Sequence, residues 1–225
     1  MTGVHATPDD QRDAIVMAAL PHVPFDGWGL AALRRAADSI GLGADAATRL
    51  FPGGAAAAVA HFMALADRLM VSDLAAHDLA SMKIRERIAM AVKVRLQRWQ
   101  PHKEAVRRAL AIAPFPPLAG RTIGGWYNTV DAIWRAIGDK SVDFSFYTKR
   151  ALLAGVYAAT LLYWIDDTSE DASATWAFLD RRIADVMKIP KLRAAAVDTL
   201  RFVPNPIRIA QKIARRFGGG LRSGF

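Results

Sequence analysis

The sequence predicts an all-α protein, and three observations predict it. Alternating runs rich in Val, Ile and Thr, the mark of strands, are nearly absent. Ala, Leu and Arg recur instead at spacings of three and four, the period of a helix face. Proline and glycine clusters divide these periodic stretches at intervals that suit helices of one to three dozen ångströms.

The first helix is expected over about Asp9 to Leu20, with Ala14, Met17, Ala18 and Leu20 on its apolar side, closed by Pro21 and Pro24. A helix over about Leu30 to Ile40, a tight turn at Gly41-Leu42-Gly43 and a short helix over about Ala44 to Phe51 follow, in a helix-turn-helix layout. Pro52-Gly53-Gly54 breaks the chain before a longer helix to about Val71, whose stripe is Val59, Phe62, Met63, Ala66, Leu69 and Met70. Lys83 to Arg98 forms a strongly basic helix, and Pro101 opens another that stops before Pro114-Phe115-Pro116-Pro117. Helices over about Leu118 to Ile137, Phe144 to Ile165, Ala174 to Met187 and Lys191 to Phe202 complete the body, the last two separated by Pro190. Asp166-Asp167-Thr168-Ser169 has the composition of a turn that ends one helix and caps the next; paired carboxylates for acid-base work are the alternative reading.

At 225 residues and 52% hydrophobic composition the chain can bury a substantial core. Its net charge of +9 points to an anionic partner, nucleic acid or lipid surface, without choosing between them. There is no cysteine, which excludes disulfides, thiolate metal sites and cysteine nucleophiles and fits a reducing compartment. The acidic first thirty residues suggest no secretory signal, and the apolar stretch from Ala151 to Ile165 falls short of the roughly 20 residues of a spanning helix. A cytoplasmic protein, peripheral on the inner face of the cytoplasmic membrane, is therefore expected.

Enzyme constellations are missing. There is no phosphate-binding Walker loop, no Gly-x-Gly-x-x-Gly after a strand, no His-Glu-x-x-His and no Glu-x-x-His of the di-iron kind. His5, His22, His61, His77 and His102 share no metal-ligand spacing. No catalytic residue, metal or cofactor other than a bound lipid is expected.

Residues Ile15 to Phe51, with Leu33-Arg34-Arg35 leading through Gly41-Leu42 into Arg49-Leu50-Phe51-Pro52-Gly53, resemble the N-terminal domain of tetracycline-repressor-like regulators. Two departures stand out: Thr48 and Leu50 occupy places where that family carries aromatic residues. Residues 1–56 also hold four arginines against six aspartates, and a net-acidic reading head suits duplex DNA poorly. A ligand-sensing transcriptional regulator is the alternative reading, and no nucleic acid partner is expected.

Four segments carry a second resemblance: Phe25-Asp26-Gly27-Trp28, Leu50-Phe51-Pro52-Gly53-Gly54, the run Asp143 to Tyr157, and Thr175 to Ile183. They are similar to the accessory lipid-binding family of ubiquinone (coenzyme Q) biosynthesis, over about Asp9 to Met187. That resemblance implies a tetracycline-repressor-like fold with an N-terminal helix-turn-helix (1–56), a larger C-terminal helical bundle that binds lipid (57–203) and a terminal amphipathic helix at the membrane (204–225). It implies a non-catalytic protein that presents isoprenoid quinone intermediates to a ring hydroxylase, and a homodimer by analogy of fold. The hydroxylase-facing patch carries over to Ile133, Trp134, Asp143, Phe146, Tyr147 and Arg150. For the lipid, the helix apolar around most of its girth supplies Leu152, Val156, Tyr157, Leu161 and Trp164, joined by Trp126 and Phe178; an ordinary packed core is the alternative for each.

Two basic regions remain. Lys83 to Arg108 holds nine Lys or Arg against Glu86 and Glu104, either as a solvated face or as a contact for anionic headgroups. Residues 201–225 hold six basic residues and no acidic one, five of the six beyond the Pro204-Asn205-Pro206 linker. There Ile207, Ile213 and Phe217 share one helical face and Arg208, Lys212, Arg215 and Arg216 flank it, the pattern of a helix lying in a bilayer interface. Each such cation near anionic lipid is worth on the order of 1 kcal/mol. Truncation after Val203 is therefore expected to abolish co-flotation with phosphatidylglycerol or cardiolipin vesicles, and high salt to weaken the intact chain's binding. Undiminished flotation of the truncated chain would place the contact elsewhere.

Overall fold

A computed structural model of the chain describes residues 6–113, 123–138 and 144–201, the side chains of 123–127, 144–148 and 189–201 excepted. Every regular element among them is helical. Two units are present, Met1–Ile183 and Ala184–Phe225. The expected boundary at residue 56 falls inside the first turn of a helix, and the expected start of the tail lies outside the described residues.

Helix α1 (Pro8–Ala19) starts on Thr7, whose hydroxyl accepts the Asp10 amide while the Asp10 carboxylate accepts the Thr7 amide at 2.9 Å. It buries Ile15, Val16, Ala19 and Leu20 rather than the expected Ala14 and Met17, of which Met17 is 43% exposed. The face carrying the branched Ile and Val removes more apolar area from water, roughly 1.5–3 kcal/mol per fully buried large side chain, and so wins the rotation. A four-residue turn of helix, α2 (Val23–Asp26), interrupts what the prolines were expected to leave as loop.

Helices α3 (Leu30–Ser39) and α4 (Ala44–Leu50) form the helix-turn-helix. Between them the Leu42 amide donates to Ala37 O and the Gly41 amide to Asp38 O, with Gly41 at φ +78°, which is the helix ending that glycine supplies most cheaply. Gly43 then opens α4 at φ +76°, ψ 146°. α1 lies across α3 and also packs on α5 (Gly54–Leu74), so the pair rests on the larger bundle. Three contacts fasten it there: Trp28 Nε1 donates to Ala105 O at 3.0 Å, Asp13 accepts two bonds from Arg68, and Asp13 pairs with His61 at 2.6 Å.

Around α5 stand α6 (Ile84–Gln97), α7 (Lys103–Ile112) and α8 (Ile123–Ala136), while α9 (Phe144–Asp166) closes the bundle against α6, α7 and α8. α5, at 21 residues, is long and apolar enough to cross a membrane by length and composition, which corrects the expectation that no such segment exists. Its tertiary setting makes it a core helix: Val59, Phe62, Ala66 and Met70 are buried, as is Asp67.

The turn after α9 behaves as its composition predicts. Asp167 accepts the Ser169 amide at 2.8 Å and both the amide and hydroxyl of Thr175, at 2.9 and 2.5 Å. Partial burial pushes this carboxyl up, but those hydrogen bonds outweigh it and hold it below the ordinary aspartate range. Helix α10 (Ser173–Arg201) then runs through Pro190, where the sequence predicted a break. Proline removes one amide donor and strains one turn, which a helix of 29 residues can absorb.

Gly43 and Gly29 make an internal comparison, since a Cβ at either meets nothing within 4 Å and only their backbones differ. Gly29 has φ −67°, whereas Gly43 sits where side chains are strained. Gly43→Ala should cost roughly 1–3 kcal/mol in urea denaturation and Gly29→Ala close to nothing.

Candidate functional site

An apolar pocket opens among α5, α6, α7 and α9. Its cavity volume is about 30 Å3, room for one or two waters and well below the roughly 300–1,000 Å3 of a formed ligand site. Phe62 and Ala66 come from α5, Leu96 and Arg95 from α6, Leu110 from α7, and Leu161 and Trp164 from α9, with Trp99 following α6. Three residues predicted for the lipid, Tyr157, Leu161 and Trp164, therefore line one cavity, brought together by their spacing of four and three along α9. Trp164 Nε1 is satisfied by Gln100 Oε1 at 2.8 Å, which leaves its ring free to face the cavity.

The other predicted lipid residues are placed differently. Val156 is buried and Leu152 half-buried, but neither lines the cavity, because the 100° step of α9 turns them toward other neighbours. Phe178 is away from it as well: it stacks flat on Tyr163, centroids 4.6 Å apart, with the Arg182 guanidinium over its ring. The side chain of Trp126 lies outside the described residues.

What the sequence reading missed is the polar floor of the pocket. Arg95, 7% exposed, donates from Nε to Asp67 Oδ1 at 2.9 Å and from a terminal nitrogen to the Tyr157 hydroxyl; Thr129 accepts from it at 3.4 Å and donates to Asp67 Oδ2 at 3.0 Å. Burial works against the Arg95 charge, and its interactions with Tyr157 and Asp67 outweigh burial, so the guanidinium titrates above its ordinary value. Burial pushes the Tyr157 hydroxyl up against the opposing pull of Arg95, so the phenol stays neutral. A signal was available: Asp67 interrupts the apolar stripe of a core helix, and a carboxylate at such a position requires a cationic partner.

The residues expected to face a hydroxylase are also placed differently from that expectation. Ile133 and Trp134 are buried, at 0% and 6% exposure, and Arg150 is 4% exposed with Nε and a terminal nitrogen on Asp131 Oδ1 at 2.9 and 2.6 Å. Arg150 is thus a buried ion-pair partner and not the exposed cation that a docking patch calls for. Asp143 and the side chains of Phe146 and Tyr147 lie outside the described residues, as do all the predicted membrane residues, Ile207, Arg208, Lys212, Ile213, Arg215, Arg216 and Phe217.

Charges elsewhere are largely committed within the fold. Arg87 donates to three carbonyls, those of Met82, Ile137 and Ala80; Arg98 pairs with Asp73, Arg107 with Asp166 and Glu104, and Lys103 donates to Asp167 O. In the helix-turn-helix, Arg34 donates to Thr48 Oγ1, Arg35 pairs with Asp26, and Arg12 donates to Leu50 O. Among the described residues no three His, Cys, Asp or Glu side chains gather in a way that could hold a metal ion.

Residues 121–190 match the COQ9 family. The chain is 34% identical over 182 residues to the mitochondrial ubiquinone biosynthesis protein COQ9 of Rattus norvegicus, covering 78% of this chain and 58% of that protein. It is 32% identical over 192 residues to the Homo sapiens protein of the same name, covering 82% and 60%. The chain thus spans about three-fifths of the length of these curated relatives. Among solved structures, a TetR transcriptional regulator from Nitrosomonas europaea superposes with a TM-score of 0.59 at 19% identity, over 78% of this chain and 97% of that one. The tetracycline-repressor-like fold is thereby established. The relatives' names carry the word mitochondrial, which overturns the expected cytoplasmic location on a cytoplasmic membrane.

Removing one partner of the buried pair leaves an uncompensated charge, whereas replacing both leaves none. Arg95→Met is expected to cost about 3–5 kcal/mol in urea denaturation. Adding Asp67→Leu in the same chain should recover most of that loss.

Proposed function

This chain carries the COQ9 family match and is a relative of the ubiquinone biosynthesis proteins of that name, and on that footing we propose that it serves ubiquinone biosynthesis as a non-catalytic, lipid-binding accessory protein. In this reading it takes up isoprenoid quinone intermediates and presents them to a ring hydroxylase at a membrane. The observation that carries the reading is the apolar pocket among α5, α6, α7 and α9, lined by Leu96, Leu110, Leu161 and the tryptophans 99 and 164. An apolar chain enters by parting these helices, and its burial there is favourable by roughly 25 cal/mol per Å2 removed from water.

The basic, amphipathic stretch from Ile207 to Phe217 supplies the membrane contact in this proposal, and the homodimer is proposed from the fold. A transcriptional role draws support only from the fold. Against it, Arg12, Arg34 and Arg35 already serve internal partners in a helix-turn-helix where aspartates outnumber arginines.

Organic extraction of the chain purified without detergent, followed by mass spectrometry, tests the proposal. A stoichiometric isoprenoid or quinone lipid is expected, and protein that yields none from a host making such lipids overturns the reading.

A further inference from the structure

At about 30 Å3 the pocket is closed to any chain-like ligand, so one of its walls has to move before such a ligand can enter. The walls are α5, α6, α7 and α9. Three of them are tied together by the buried network, through Asp67 on α5, Arg95 on α6 and Tyr157 on α9. Parting any one of these from the other two strips a buried ion or phenol of its partner, among the costliest changes a protein interior can undergo. α7 (Lys103–Ile112) contributes no group to that network.

α7 is itself fastened at one end. Near its start, Lys103 Nζ donates to Asp167 O at 2.6 Å, and Arg107 donates to Ile165 O at 3.2 Å and to Asp166 Oδ1 at 2.7 Å. Ala105 O accepts the Trp28 indole hydrogen at 3.0 Å, and the turn before the helix, Gln100–His102, is pinned by the Trp164 indole on Gln100 Oε1. From residue 109 the chain reads Ala-Leu-Ala-Ile-Ala, with no polar side chain to bond or pair. That second half is what walls the pocket, through Ala109, Leu110 and Ala113, with Val106 one turn before. Ala109 and Ala113 are small and Leu110 is only half-buried, so moving them out of contact forfeits less apolar burial than moving the Phe62, Leu96 or Leu161 walls. The outer face of the same half, Ala111 and Ile112, is exposed and uncharged, so its movement breaks no surface ion pair.

We propose that the second half of α7 is the gate of the pocket. The helix tilts about its fastened first half, swings Ala109 to Ala113 away from α5 and α9, and admits an apolar chain while α5, α6 and α9 keep their places. This rests on the lipid-binding reading above and adds to it the point of entry and the element that moves.

The chain has no native cysteine, so pairs of cysteines placed at exposed positions can carry spin labels without interference. Electron double resonance then gives distances in the full chain, stripped of lipid, with and without farnesol as an isoprenoid probe whose binding is followed separately by calorimetry. Ala111→Cys with Ala64→Cys on α5, and Ala111→Cys with Ala151→Cys on α9, report the gate; Ala64→Cys with Ala151→Cys reports the fixed walls. With farnesol the two distances from position 111 should lengthen by about 4 Å, room for one layer of carbon atoms at contact distance, and the third should not change. Farnesol binding with all three distances unchanged, or with the α5–α9 distance lengthening, overturns the gate and leaves the lipid-binding reading standing. Absence of farnesol binding to the stripped chain removes the lipid-binding reading and the gate with it.

Discussion

The buried ion pair of Asp67 with Arg95 ties the larger bundle together. Asp67 belongs to α5, Arg95 to α6, Thr129 to α8 and Tyr157 to α9, so one network of hydrogen bonds crosses four helices. Taking two charges out of water costs several kcal/mol each, and well-packed hydrophobic residues of similar volume are often as stable or more so. Stability alone therefore gives no reason for the pair. Its geometry does: the guanidinium has a fixed fork of donors, and only one mutual arrangement of the four helices satisfies it. The pocket beside it inherits that arrangement.

The helix-turn-helix shows how a fold can keep its layout while its surface chemistry changes. Gly41 and Gly43 maintain the turn, and Leu33, Ala36, Ala46 and Ala47 maintain the contact between its helices. The cations that would reach phosphate are instead turned to neighbours, Arg34 to Thr48 and Arg35 to Asp26. The helix-turn-helix is joined to the bundle through Trp28 and the Asp13 cluster. Likeness to a DNA-binding regulator and kinship with ubiquinone biosynthesis proteins are in this way compatible, because fold and function rest on different atoms.

The pocket itself is a compromise between packing and access. Interiors are close-packed, so a cavity lined by Leu, Phe and Trp forgoes dispersion contacts that larger side chains would have made. Ala66, Ala109 and Ala113 are small residues on its lining.

The sequence by itself determined that the protein is helical, where most helices begin and end, and which of them are core: three- and four-residue spacing, glycine turns and caps act over a few residues and are legible there. Tyr157, Leu161 and Trp164 could be read as one face for the same reason. Rotation was less legible, as α1 shows by burying Ile15 and Val16 instead of Ala14 and Met17. Only the tertiary structure decided that Phe178 stacks on Tyr163 outside the pocket, that Arg150 is buried against Asp131, and that Arg95 meets Asp67 across 28 positions of chain. Such pairings depend on which helices touch and at what height, and no local period encodes the distance between two helices.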